Sequence, residues 1–219
     1  MKLEEILDQI FHLNFSSQFN LAATFLRFQE HYESPWFKGK IFTLKEYKEW
    51  YTTNSPHQNS LGKFTYYEDW IGFNIPSYVL NPFYEGNFDP LSAREQKFLD
   101  LFRDKRDKRY YVIGTSGETD QSALQHEIAH GLFYTIPDYK REVLKIFEPL
   151  TRKEIKKIKQ FFFKIGYHQT VSIDEAQAYF LSEGEELSKD IGINRKRLQE
   201  IHERLKESFE RYCPSIKIQ

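Results

Sequence analysis

Cysteine is almost absent from this chain, because Cys213 is the only one among 219 residues. A single cysteine excludes an intrachain disulfide framework, and its near-terminal position matches no metal-binding or nucleophile pattern. Such scarcity is compatible with a reducing compartment.

Long apolar runs are also missing. The densest burst, Phe161 to Phe163, is flanked by lysines and falls far short of the roughly 18 to 20 residues that span a bilayer. The segment from Met1 to Phe11 alternates charged and apolar residues, whereas a secretory signal needs an unbroken apolar stretch after a basic start. We therefore expect a cytoplasmic protein with no membrane partner.

An excess of either charge is absent as well, since 31 basic residues face 32 acidic ones. The overall charge shows no bias toward nucleic acid or anionic membranes. Glu154 interrupts the one lysine cluster, whose spacing is typical of a solvated helix face; its members are Lys153, Lys156, Lys157 and Lys159. We expect no nucleic-acid partner.

Aromatic residues, by contrast, are abundant, with 20 Phe and 14 Tyr. This content indicates a well-filled core, and the chain length suits one sizeable core or two small ones. Tyr66, Tyr67 and Trp70 form a cluster that we assign to a sheet core rather than to a stacking surface.

The order of predicted elements indicates an α+β fold. Helical spacing at Leu3, Ile6, Leu7, Ile10 and Phe11 predicts a helix over about 3–30, with a second helical stretch at 20–29 after a polar break. Residues 39–42, 62–75 and 110–114 have strand composition. Further helices are predicted at about 91–106, 119–134 (capped by Thr119 or Asp120), 138–147, 151–165, 173–187 and 195–212. Strands thus precede a helix-rich half, unlike a βαβ repeat.

The chemistry-bearing motif is His126-Glu127-Ile128-Ala129-His130. Residues four apart lie on one helix face, so His126 and His130 can direct two imidazole nitrogens at one ion. Glu127, one residue further on, is rotated about the helix axis and can reach a water bound to that ion. Zn²⁺ lowers the pKa of such a water to about 7. The spacing predicts one Zn²⁺ with Glu127 as general base. The alternative is a buried helix whose histidines are satisfied by hydrogen bonds.

A catalytic zinc usually has three protein ligands. A third histidine six residues after His130 is excluded, because position 136 is Ile. The best candidate is Glu175, near the start of a later helix whose small neighbours Ala176 and Ala178 allow close packing.

Several alternatives to Glu175 remain open. Ser172 and Glu175 have capping-box spacing, in which the carboxylate would bind the backbone of its own helix. Asp174 competes directly as a ligand, and His168 and Glu183 are weaker rivals. If Glu175 is the ligand, Asp174 becomes a candidate partner for a histidine ring N–H.

With these residues the chain resembles the gluzincin group of zincin metallopeptidases, over 126–131 and 174–179. The resemblance implies His126, His130 and Glu175 as zinc ligands, Glu127 as general base, and a peptide or protein substrate. It also implies one metallopeptidase-like domain over residues 1–219, with a β-containing part at about 35–135 and a helical part at about 136–219.

Other implications of the resemblance fit less closely. Thermolysin-like members have an Asp four residues after the ligand Glu, where this chain has Tyr179. A Tyr or His stabilises the oxyanion in the group, and Tyr167, His168 and Tyr179 are candidates. The group places a cleft-edge strand before the motif helix, and 110–114 occupies that position, where an edge strand can pair with an extended peptide.

Two further functions compete with a peptidase. One is a non-catalytic binding or regulatory module with a structural or vestigial zinc, and the intact Glu127 speaks mildly against it. The other is a zinc hydrolase acting on a non-peptide amide.

Overall fold

The structure is a computed structural model that describes residues 1–54, 62–117 and 121–214. The predicted cap at Thr119 or Asp120 lies outside the described residues. The chain forms two compact units, Met1–Glu118 and Thr119–Gln219. One metallopeptidase-like domain over 1–219 stays a prediction. No helix in the described ranges is long and apolar enough to cross a membrane.

The first unit contains the whole sheet. Its strands are β1 (Lys2–Leu7), β2 (Ile10–Phe15), β3 (Gly72–Pro76) and β4 (Tyr111–Ser116). Its helices are α1 (Gln18–Glu33), α2 (Leu44–Asn54), α3 (Tyr66–Asp69), α4 (Asn81–Tyr84) and α5 (Ala93–Leu101), with 3₁₀ turns at Ser77–Leu80 and Arg103–Lys105.

The second unit is helical in its described residues. Its helices are α6 (Gln121–Thr135), α7 (Pro137–Phe147), α8 (Arg152–Lys164), α9 (Ser172–Ser182), α10 (Ser188–Ile191) and α11 (Arg195–Tyr212), with a 3₁₀ turn at Gly184–Leu187. A small mixed sheet in the N-terminal half and helices after it confirm the α+β prediction.

The sheet has the strand order β1-β2-β4-β3. β2 pairs antiparallel with β1 and parallel with β4, and β4 pairs antiparallel with β3. The predicted strand at 110–114 is therefore confirmed as β4. Its expected position at an edge is wrong, because neighbours on both sides already use its backbone N–H and C=O groups.

Helix α1 packs directly against β4 at Gly114. A Cβ atom built on Gly114 would lie 2.6 Å from the Phe25 ring and 2.8 Å from Leu21, closer than nonbonded carbon atoms approach. Phe25 also stacks on Phe73 of β3 at a centroid distance of 5.5 Å. The aromatic residues of this half thus fill the core between α1 and the sheet, as their number predicts.

The predicted helix over about 3–30 is wrong in its first half, since β1 and β2 occupy 2–15. The β-containing part therefore begins before residue 35, where the sequence placed its start. Ile10 and Phe11 suit a helical stripe, but Phe11, Leu13 and Phe15 also alternate with the less buried His12 and Asn14. Pairing of β2 with β1 and β4 selects the two-residue period, which periodicity alone left ambiguous.

Two strand predictions also need correction. Residues 39–42 form no strand, because their aromatic member Phe42 packs on Phe37 and Tyr47 instead of joining the sheet. The predicted strand over 62–75 is a strand only in β3, because α3 precedes it. Tyr66 of α3 is buried against Tyr51 and Phe73. Aromatic packing, which helices also provide, accounts for the strand-like composition.

The helices of the second half agree closely with the predictions. α7 and α8 begin within one residue of the predicted starts, and α11 has the predicted bounds. α9 ends at Ser182, earlier than the predicted 187, where a 3₁₀ turn follows. α6 packs on α9, and α9 also contacts α8 and α11. The motif helix is thus held against the helix that contains Glu175.

Candidate metal centre

The motif lies on α6 as predicted, and the residues between and beside its histidines form the buried side of that helix. Ile128, Ala129 and Leu132 are fully buried. Across from them, Ala176 and Ala178 of α9 are also fully buried, and their small side chains let the two helices approach closely. This packing brings Glu175 to the two histidines.

Three side chains converge at this point, and among the described residues they form a group that could hold a metal ion. His126 Nε2 lies 3.2 Å from His130 Nε2, and His130 Nε2 lies 3.7 Å from Glu175 Oε2. One ligand atom from each of the three lies within 4.8 Å of the others. In a tetrahedral zinc site with bonds of about 2.0–2.2 Å, ligand atoms lie about 3.3–3.6 Å apart, close to the distances of 3.2 and 3.7 Å found here.

The outer nitrogens of both rings are already engaged. His130 Nδ1–H donates to Asp174 Oδ1 at 2.9 Å. His126 Nδ1 lies 3.2 Å from Ser182 Oγ, whose own hydrogen is donated to the carbonyl of Ala178, so the serine accepts from Nδ1–H. With both Nδ1 atoms engaged, the two Nε2 atoms face each other in the cluster at hydrogen-bond distance. Two ring nitrogens this close need a proton or a metal cation between them.

Charges around the cluster favour a cation. Burial lowers the pKa of His130, but the carboxylates of Asp174 and Glu175 outweigh burial and raise it to about 10. For His126, burial lowers the pKa well below its ordinary value, and positive charge on His130 acts in the same direction. The site therefore stabilises positive charge but leaves His126 Nε2 as a neutral donor of electrons.

The capping-box alternative for Glu175 is wrong. α9 begins with Ser172 as its first helical residue, Val171 is the N-cap, and no side chain caps this end. Glu175 is instead 2% exposed and faces the histidines. A serine and a glutamate three apart cap a helix only when the serine precedes its first turn.

The rivals of Glu175 lie elsewhere. Asp174 contacts Nδ1 of His130, the nitrogen directed away from the cluster, so the expected hydrogen bond from a histidine ring is present. His168 Nδ1 accepts from the hydroxyl or backbone N–H of Thr170, and Glu183 is exposed. Neither belongs to the group that could hold a metal.

Glu127 lies half-buried beside the cluster. Its negative charge raises the pKa of His130 and, as a minor contribution after burial, that of Tyr179. Glu127 therefore acts on the cluster electrostatically, as a negative charge in its surroundings.

Two of the three oxyanion candidates lie at the cluster. The Tyr179 ring meets the His126 ring edge-on at a centroid distance of 4.7 Å, and its hydroxyl lies 3.3 Å from that of Tyr167. Burial raises the pKa of Tyr179, so its hydroxyl is a neutral hydrogen-bond donor. Tyr179 thus packs directly against His126, one of the two candidate histidine ligands.

Sequence reasoning missed two side chains near the site. Tyr139 Oη donates to Gln177 Oε1 at 2.9 Å, and Gln177 Nε2 donates to Asp174 Oδ1 at 3.2 Å. The spacing of Asp174 and Gln177, three apart on one helix, is the only signal that could have indicated this contact. Nothing in the sequence connects Tyr139 to it.

Comparison with known proteins adds no family to this geometry. No protein-family model matches the chain, and neither the curated proteins nor the solved structures contain a significant match.

Proposed function

We propose that this chain is a zinc-dependent peptidase in which His126, His130 and Glu175 hold one Zn²⁺ and Glu127 is the general base. The observation that carries the proposal is the convergence of one ligand atom each from His126, His130 and Glu175 within 4.8 Å of one another. Three protein ligands leave one tetrahedral position for water or substrate, which is typical of catalytic rather than structural zinc.

A Zn²⁺ ion held by His126, His130 and Glu175 would supply Lewis acidity for a carbonyl oxygen and would make water a stronger nucleophile at neutral pH. The chain contributes the remaining groups. Glu127 accepts the proton of the attacking water and returns it to the leaving amine. The hydroxyl of Tyr179 or Tyr167 donates to the oxyanion of the tetrahedral intermediate. Peptides are proposed as substrates on the resemblance to gluzincins, and the same chemistry would serve another amide.

The metal requirement is tested first. Purified protein is expected to contain about one zinc per chain by elemental analysis, since three ligands and one open position describe one ion. Cleavage of a mixed peptide library, followed by mass spectrometry, should stop with 1,10-phenanthroline and return with added Zn²⁺. Bound zinc without cleavage of any peptide or amide would favour the non-catalytic module.

The role of Glu127 is tested by Glu127→Gln, which keeps the shape of the side chain but removes the base. Hydrolysis is expected to fall by about 10²- to 10⁴-fold, the usual contribution of a general base, while zinc content stays unchanged. Glu207→Gln changes an exposed glutamate on α11 and serves as the matched control, with activity expected to equal that of the unmodified protein. Full activity in Glu127→Gln would overturn the mechanism.

A further inference from the structure

A buried chain of hydrogen bonds leads from the metal candidate site to α7. Tyr139 Oη donates to Gln177, Gln177 Nε2 donates to Asp174 Oδ1, and His130 Nδ1–H donates to the same oxygen. Tyr139 and Gln177 are fully buried, His130 is 1% exposed and Asp174 8%. Water therefore cannot substitute easily for any link of the chain.

The direction of this chain is fixed by its ends. A carboxylate only accepts, so Asp174 Oδ1 takes a hydrogen from the Gln177 NH₂ group, and the carbonyl oxygen of Gln177 is left to accept from the Tyr139 hydroxyl. An NH₂ group has no lone pair to accept with, so Asp174 meets it as an acceptor. The reversed amide would place two oxygens against each other. Asp174 Oδ1 thus accepts from both Gln177 and His130.

We propose that Gln177 and Tyr139 are positioning residues for the metal, acting through Asp174 on His130. By holding the carboxylate in place, they fix the His130 ring in the tautomer and orientation that direct Nε2 toward the ion. Partners at this distance from a metal tune its affinity without touching it. This inference rests on the proposed metal site.

The effect of this hydrogen-bonded series on the metal site has to be distinguished from the effect of an ordinary buried hydrogen bond on stability. Ser208 provides the comparison, because its hydroxyl is 1% exposed and donates to Glu142 Oε2 at 2.8 Å within the same unit. Loss of that bond should lower stability without any effect on the metal. Loss of the Gln177 bond should lower metal affinity even when stability is restored.

The experiment measures metal binding in four variants of the full chain. Gln177→Met keeps the approximate side-chain volume but removes the hydrogen bonds to Tyr139 and Asp174. Tyr139→Phe removes only the hydroxyl of Tyr139 and its bond to Gln177. The double variant removes the chain without leaving a polar group unsatisfied. Ser208→Ala is the control. Zn²⁺ affinity is measured by competition with a chromophoric chelator, and ligand geometry by the visible absorption spectrum of the Co²⁺-loaded protein.

We expect Gln177→Met to weaken Zn²⁺ binding by about 10- to 100-fold and to alter the Co²⁺ spectrum. Tyr139→Phe should produce a smaller loss in the same direction. The double variant should regain thermal stability relative to Gln177→Met but keep the weakened affinity. Ser208→Ala should bind Zn²⁺ within about twofold of the unmodified protein, since its hydroxyl donates to Glu142, which lies outside the hydrogen-bonded series from Tyr139 to His130.

Three results would overturn the inference. Unchanged affinity and spectrum in both Tyr139→Phe and Gln177→Met would limit these residues to packing, with the metal site itself intact. Recovery of affinity together with stability in the double variant would have the same meaning. If the unmodified protein binds no Zn²⁺ or Co²⁺, the proposed function fails along with the inference. Where Gln177→Met does not fold, Tyr139→Phe decides alone.

Discussion

His130 and Asp174 form a buried hydrogen bond of 2.9 Å between Nδ1–H and Oδ1. Glu175, the next residue along α9, lies on the Nε2 side of the same ring at 3.7 Å. Two adjacent carboxylates therefore serve the two nitrogens of one imidazole. The first orients the ring, and the second shares with it the space in which an ion would lie.

Replacement of Asp174 by Asn tests the first of these roles. The amide keeps the shape of the side chain but loses the charge that holds His130 Nδ1–H, so we expect Zn²⁺ affinity to fall by about 10- to 100-fold. Isothermal titration with Zn²⁺ measures the change. Binding within twofold of the unmodified protein would contradict the assigned role of Asp174.

The role of Glu175 as a zinc ligand is tested through the rise in Tm that bound Zn²⁺ produces. A ligand that binds only the folded state adds about 2.7 kcal/mol to the unfolding free energy at a hundred times its Kd. We expect Zn²⁺ to raise the Tm of the unmodified protein and of Glu183→Gln, but hardly that of Glu175→Gln. Differential scanning fluorimetry with and without Zn²⁺ gives the comparison. An equal rise in all three proteins would exclude Glu175 as a ligand.

The unfolding free energy of the first unit should decrease as pH rises, because of Glu30. Burial raises the pKa of this carboxyl from 4.5 to about 7, although hydrogen bonds from Ser34, Tyr66 and Tyr47 act in the opposite direction. Between these two values the folded state binds more protons than the unfolded state, so the unfolding free energy decreases as pH rises. The loss from pH 4.5 to above pH 7 is on the order of 3 kcal/mol.

Glu30→Gln removes this titration and should be more stable than the unmodified protein at pH 8, with little difference at pH 4.5. Urea unfolding at both pH values measures the difference. Glu49→Gln, at an exposed position of α2, is the control and should follow the unmodified protein at each pH. Parallel pH profiles for Glu30→Gln and the unmodified protein would contradict the prediction.

Gly114→Ala tests the contact between α1 and β4. The added methyl would overlap the Phe25 ring and Leu21 at 2.6–2.8 Å, so we expect a loss of about 1–3 kcal/mol in unfolding free energy by urea denaturation. In a Phe25→Leu background the same substitution should cost less, because the shorter side chain leaves room. Equal costs in both backgrounds would show that the ring is not the obstacle.

The sequence could predict the parts of this protein that depend on local pattern. α11 has its predicted bounds because Leu198, Ile201, Leu205 and Phe209 form an uninterrupted apolar stripe. The spacing of His126 and His130 likewise placed both rings on one side of α6. Such features require only the period of a helix.

What the sequence could not predict depends on contacts between distant segments. β2 exists because it pairs with β4, about 100 residues later, and its apolar residues alone suited a helix. The orientation of α9 against α6 places Glu175 in the group that could hold a metal and Asp174 on the other nitrogen of His130. The link from Tyr139 to Gln177 spans 38 positions and has no signature in either segment.

The interior position of β4 also determines how an extended chain could associate with this sheet. The exposed edges belong to β1, which presents the charged Lys2 and Glu4, and to β3, where Gln29 Oε1 accepts from the backbone N–H of Asn74. Charged side chains on one edge, and a side chain that already binds a backbone N–H on the other, discourage the addition of a further strand. The sheet is thereby protected from polymerising edge to edge.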